Sequence, residues 1–296
     1  MTFGVRWSLL LAASALLWSV AGSHLQAGLA PVALPPAAAD SGPPVSRGWR
    51  VTTDASLRLY LPSGTLRVVT WDRDSVHVGG TLGANASLFG GGAASHVKLG
   101  VEADNMRDGT LPTASLEVRV PRRARVWVKM IDGELSVTGT RAELEAYTIR
   151  GRVTVHDVAG STTIESIDAP VTLSNATGDV RIRGSRAVVS LDQVNALVSI
   201  STVSGSVVTR RSPIEGRIET VGGGITVRGV KAGARLGLQS HAGAVLLELP
   251  AGRVPLLELA SYRGVVRPAG STMGREEFGR IDARSFRGNI TVSLVP

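Results

Sequence analysis

The sequence predicts an all-β protein: a single-stranded parallel β-solenoid (β-helix) with about 18 residues per coil. Three observations predict it. A glycine or alanine recurs at Gly133, Gly151, Ala169, Ala187, Gly205 and Gly223, then more loosely at Gly243, Gly264 and Gly288. Aliphatic residues hold fixed places around that small residue. A hydroxyl column, Thr148, Ser166, Thr202, Thr220, Ser240, Ser261 and Ser285, stands three places before it, interrupted by Gly184.

The aliphatic columns define the strands. Two places after the small residue stand Leu135, Val153, Val171, Val189, Val207, Ile225, Val245, Val266 and Ile290; two places further stand Val137, Val155, Leu173, Leu191, Val227 and Val292, with Thr209 among them. Before it run Val126, Leu144, Val180, Val198 and Leu236, and two places later Val128, Ile164, Ile182, Ile200, Ile218 and Leu238. Spacing by two puts these residues on one side of a strand and their polar neighbours on the other. One coil encloses nothing, but stacked coils share a dry interior, each buried aliphatic side chain adding about 1.5–3 kcal/mol. Nine coils spaced about 4.8 Å apart make a rod on the order of 40 Å long. Right-handed winding is expected, because parallel crossovers are overwhelmingly of that hand. The small residue is expected at a corner where adjacent coils approach closely or φ is positive. The hydroxyls are expected to bond the corner backbone or one another.

Ahead of this region the chain changes character. Residues 1–23 carry Arg6, an uncharged apolar run from Trp7 to Ala21, and the small exit residues Gly22 and Ser23, the pattern of a secretory signal peptide. The competing reading is an uncleaved N-terminal anchor that tethers the protein to a membrane. Residues 24–48, rich in Ala, Pro and Gly, read as a linker. Residues 49–120 alternate without a fixed spacing and read as irregular N-terminal β coils rather than a separate capping β-domain; residues 121–296 form the regular solenoid. The expected location is therefore outside the cytoplasm: periplasm, cell surface or extracellular. The chain has no cysteine, so disulfides and thiolate metal sites are excluded.

Several segments carry a family resemblance. Ser63-Gly64-Thr65-Leu66-Arg67-Val68, then Trp71-Asp72-Arg73-Asp74-Ser75-Val76-His77-Val78, Val120-Pro121-Arg122-Arg123-Ala124, and Asp132-Gly133-Glu134-Leu135-Ser136-Val137 together resemble the bacterial putative-adhesin family, a family of unknown function built from β-strand repeats. The likeness covers about residues 50 to 296. It implies an adhesin-like solenoid of the cell envelope, and it brings no catalytic residues with it.

The formal charge is +8, which permits anionic partners. Asp132, Arg150, Asp168 and Arg186 alternate in sign from coil to coil, a pattern that predicts ion pairing along the stack. The outward positions Tyr147, Glu165, Arg181, Arg183 and Arg217 form the candidate binding face, for polysaccharide or an envelope protein. Neither a nucleic-acid motif nor an aromatic platform is legible, so nucleic acid is not expected. For catalysis the nearest grouping is His156, Asp157, Ser174, Asn175, Asp192 and Gln193, which are also the residues of a solvated turn; the expectation is no enzyme, the alternative being a polysaccharide-active enzyme on the same β-helix scaffold. His24, His77, His96, His156 and His241 are scattered, so no metal or other cofactor is expected, and His241 reads as a packed side chain in a column with Ile131, Ile149, Ile167, Val221, Tyr262 and Phe286. The strand-like end, Asn289 to Leu294, suggests end-to-end self-association through an uncovered terminal coil.

Overall fold

The computed structural model describes residues 43–104, 109–268 and 274–295. They are all-β, with no helix among them, and their strands form one largely parallel sheet that does not close into a barrel. The apolar run Trp7–Ala21 lies outside the described residues, so the signal-peptide and anchor readings are not addressed by the fold. Among the described residues no helix is long and apolar enough to cross a membrane.

The regular part begins at β7 (Arg125–Thr138) and continues through β8 (Leu144–Ser166), β9 (Val171–Gly184), β10 (Val189–Thr202), β11 (Val207–Arg210), β12 (Glu215–Thr220), β13 (Ile225–Arg228), β14 (Arg235–Ser240) and β15 (Val245–Pro250). Pairing is parallel and in register at the sequence period: Leu135 with Val153, Val153 with Val171, Val171 with Val189, Val189 with Val207, Val207 with Ile225. β8 is long enough to turn back over its own start, where Ile167 N–H donates to Thr148 O at 3.1 Å and Asp168 N–H to Ile149 O at 2.8 Å. The aliphatic columns point inward, as their alternation requires: Val153, Val189, Val207, Ile164 and Ile182 are all fully buried.

Two features shape each repeat. At the small-residue corner the layers nearly touch: a Cβ on Gly205 would lie 1.7 Å from Ala187 O, and one on Gly151 would lie 1.8 Å from Gly133 O. Positive φ is confined there to the early layers, Gly64, Gly133 and Gly151, and Ala169 and Ala187 fit without it. The left-handed turn lies six residues on, in a column of its own: Gly139 (φ 89), Asp157 (52), Asn175 (51), Gln193 (55), Arg211 (48) and Gly229 (88). Behind it a further inward column, Thr140, Val158, Ala176, Val194 and Ser212, completes the interior. The hydroxyl column bonds the corner backbone: Ser166 Oγ donates to Ala169 O and Thr202 Oγ1 to Gly205 O, both at 2.6 Å.

Both ends depart from chain order. β1 (Pro44–Arg50), β2 (Ser56–Trp71), β3 (Ser75–Leu82), β4 (Ala86–Ala93), β5 (His96–Ala103) and β6 (Thr113–Pro121) precede the regular part. β2 is a true layer, lying parallel on β7 with Gly64 opposite Gly133. β5 and β6 form the next layer out, parallel to the two halves of β2. Antiparallel strands then finish this end: β4 on β5, β3 on β6 and β1 on β3. Residues 49–120 thus combine coil-like layers with a capping antiparallel part, sharing one core with the rest. The linker reading of 24–48 needs correction at its end, because the chain is already a strand at Pro44, with Trp49 packed on the core.

At the other end β16 (Pro255–Ser261), β17 (Val266–Arg267), β18 (Arg275–Ser285) and β19 (Ile290–Val295) close the chain. β18 and β19 insert between β14/β15 and β16/β17. The corner column accordingly runs Gly243, Gly288, Gly264, with a Cβ on Gly288 meeting Gly243 O at 1.9 Å and one on Gly264 meeting Gly288 O at 2.2 Å. The terminal strand is covered by β17 only at Ile290 and Thr291, and from Val292 on it pairs, among the described residues, with β15 alone. Its full length lies on β15, and the layer beyond is β16 with the two-residue β17.

Candidate functional site

The face built by the strand segments ahead of the small-residue corner gathers the polar side chains that alternation turns outward. Tyr147, Glu165 and Arg183 occupy one column on successive layers, behind Lys129, and Arg181 lies in the neighbouring column behind Trp127, Glu145 and Thr163. Together they line an open depression of about 470 Å3. Four of the five expected residues are thus brought together. Arg217 is not: Ser199 separates it from Arg181 along the column, and its guanidinium pairs with Glu219 and donates to Gln239 Oε1 at 3.0 Å.

Within the depression Arg183 Nη1 lies 3.3 Å from Glu165 Oε1, and Lys129 Nζ stands 5.9 Å from the Tyr147 ring centroid. Both are exposed contacts, worth little to stability and free to rearrange around a ligand. Trp127, 36% exposed, is the largest apolar surface of the face. Trp127, Lys129 and Glu145 were not among the expected binding residues, although they occupy the same two columns one or two layers earlier. The alternation that selected Tyr147 and Arg181 points to them as well.

Elsewhere several arginines are matched to carboxylates on the neighbouring layer. Arg150 reaches Asp132 at 3.2 Å and Arg186 grips Asp168 through two nitrogens, as the alternating signs predict. The hydrogen bonds from Arg186 hold the Asp168 carboxyl below the usual carboxylate range, and Arg122 does the same to Asp72.

The grouping weighed for catalysis falls on the left-handed turn. Arg141 Nη2 donates to both carboxylate oxygens of Asp157 at 2.9 Å, and Asn175 Nδ2 donates to one of them at 3.2 Å. Asp192 is held by Arg211, whose hydrogen bonds keep its carboxyl below the ordinary range. His156 Nδ1 meets Ser174 Oγ at 2.9 Å, and no hydrogen bond joins His156 to Asp157 among the described residues. Arginines that grip these carboxylates from the neighbouring layer suit the pinning of a corner. No group of three His, Asp or Glu residues that could hold a metal ion occurs among the described residues.

The His241 column is on the outside. His241, Phe286 and Tyr262 stack on successive layers, with ring centroids 4.9 and 5.1 Å apart, and Tyr262 is 75% exposed. The packing expected of His241 is therefore ring stacking along the surface rather than burial in the core.

No family model and no curated protein matches the chain. Among solved structures, a crystal structure of a putative cell adhesion protein from Clostridium sporogenes aligns over 86% of this chain and 100% of its own, at 9% identity and a TM-score of 0.21.

Proposed function

We propose that the chain is a non-enzymatic, exported β-solenoid of the cell envelope, acting as an adhesin-like protein that binds a surface partner, polysaccharide or envelope protein, through the Tyr147–Arg183 face. The solenoid reading is supported by parallel pairing at an offset of eighteen residues, as in Val153 with Val171 and Val171 with Val189, and right-handed winding follows from the preference of parallel crossovers. One observation carries the binding reading. Glu165 and Arg183 stand on successive layers, with Arg181 two residues from Arg183 on the same strand, beside the Trp127 and Tyr147 rings, so a ligand that runs across the layers gains several weak contacts at once. The signal-like N-terminus and the resemblance to the adhesin family support export and an envelope setting.

The test is retention on isolated cell envelopes. The wild-type chain should be retained, and a Tyr147→Ser/Arg181→Ser/Arg183→Ser variant should lose most of that retention while keeping its fold by circular dichroism. Equal retention of the two would refute the assignment of the face. A second reading, end-to-end self-association, is favoured at β16, where Leu257 and Leu259 are only half-buried while their β18 neighbours Ile281 and Ala283 are fully buried. Dimers in sedimentation at rising concentration support it, and a monomer throughout dismisses it.

A further inference from the structure

The face described above continues toward the capped end of the molecule through residues that the repeat does not supply. β2 lays Arg58 beside Trp127 and Tyr60 beside Lys129, and β5 lays Lys98 beside Arg58. Arg125 and Glu143 border the same strands. The result is a second open depression, of about 520 Å3, whose wall is shared with the first through Trp127 and Glu145.

The charges here depart from the pairing seen at the corners. At the corners, arginine meets carboxylate on the next layer, as in Arg150 with Asp132 or Arg141 with Asp157. In the column Lys98, Arg58, Trp127 two cations are direct neighbours, and an indole stands where a carboxylate would relieve them. Among the described residues Arg58, Lys98, Arg125, Lys129 and Arg181 all lack a carboxylate within ion-pair distance, although each is exposed on this face. Like charges directly opposite one another destabilise a sheet, and a local rule broken without compensation marks a functional surface.

We infer that the two depressions form one track for an acidic polysaccharide, a chain of pyranose units bearing carboxylate or sulfate groups. This rests on the surface-binding reading above and specifies its ligand. Trp127, Tyr60 and Tyr147 offer apolar ring faces of the kind that stack on the C–H faces of sugar rings. Arg58, Lys98, Arg125 and Arg181 supply charge-assisted hydrogen bonds to the anionic groups, and the arginines can do so with two parallel donors. Glu143 and Glu145 accept hydrogen bonds from sugar hydroxyls. The signal-like N-terminus, which supports an envelope setting, favours a glycan over a nucleic acid as the ligand.

The experiment uses the full chain and four probes: alginate, dextran sulfate, neutral dextran and a single-stranded oligonucleotide, titrated at low and at raised salt. Alginate or dextran sulfate should bind and neutral dextran should not, the preference between the first two separating carboxylate from sulfate recognition. Arg58→Glu/Lys98→Glu should weaken binding about tenfold or more and flatten its salt dependence, because it removes charge. Trp127→Ala should weaken binding by about fivefold to tenfold and leave the salt dependence unchanged, because it removes only a stacking surface. Both variants should keep the wild-type urea midpoint. Binding of neutral dextran equal to that of the polyanions, undiminished affinity in both variants, or tighter binding of the oligonucleotide would each overturn the inference. Failure on all four probes with retention on cell envelopes intact overturns the acidic-glycan track and leaves surface binding standing; failure of both overturns both.

Discussion

Val189→Asp unfolds the layers on either side of it. Val189 is fully buried, lies between Val171 and Val207 on adjacent layers, and faces an interior filled by Leu191, Val198 and Ile200. A carboxylate there meets no cation and no hydrogen-bond donor beyond the strand backbone, which is already paired. The expected loss is about 4 kcal/mol or more, at the upper end for single substitutions. In urea denaturation the midpoint should collapse, and amide exchange should speed up first in β9, β10 and β11. Arg181→Ser, on the exposed side of the same stack, should change stability by no more than about 0.5 kcal/mol. Similar losses for the two would contradict the inward and outward assignment of the columns.

Gly151→Ala should be nearly as damaging, for a reason of backbone rather than core. Gly151 has φ 105, and an added Cβ would stand 1.8 Å from Gly133 O and 2.6 Å from the Gly133 carbonyl carbon. No side chain can swing aside to relieve that contact. Either the layers separate, breaking a row of parallel hydrogen bonds, or the corner refolds; the expected loss is about 3 kcal/mol. Gly91→Ala is the control, since nothing lies within 4 Å of its added Cβ. That variant should be neutral to within about 0.5 kcal/mol. Equal urea midpoints for the two alanine variants would mean that the layers are not in contact at the small-residue corner.

How far the fold can be read from the sequence follows from where the repeat is local. From Gly133 to Gly223 each layer is followed in the chain by the layer that covers it, so an eighteen-residue count lands on the spatial neighbour. At the ends it does not. Gly243 is covered by Gly288, forty-five residues on, and Gly64 lies against Gly133, sixty-nine residues on, so no period links them. The inward column at Val158, Ala176 and Val194 escaped because the left-handed residue before it resets the alternation, and period two does not carry across such a turn.

The binding face divides the same way. Tyr147, Glu165, Arg181 and Arg183 are legible because they alternate with aliphatic residues inside the regular repeats, and Trp127 and Lys129 follow from the same parity. Arg58 and Tyr60 stand before Gly64 as Trp127 and Lys129 stand before Gly133, a correspondence visible only once β2 is recognised as a layer. Lys98 carries no such mark, because β5 reaches the face through a parallel pairing with β2 that crosses two intervening strands. Arg217 has the right parity, but its charge is already matched by Glu219 and its position lies beyond the aromatic cluster.

The in-register stacking of repeats is tested most directly by distances along one outward column. The chain has no cysteine, so spin labels can be attached cleanly at Glu145→Cys with Arg217→Cys, and at Trp127→Cys with Gly237→Cys. Electron–electron double resonance should give separations of about 19 Å for the first pair, four layers apart, and about 29 Å for the second, six layers apart. Separations that match each other, or that do not grow in proportion to the number of layers, would contradict the stack.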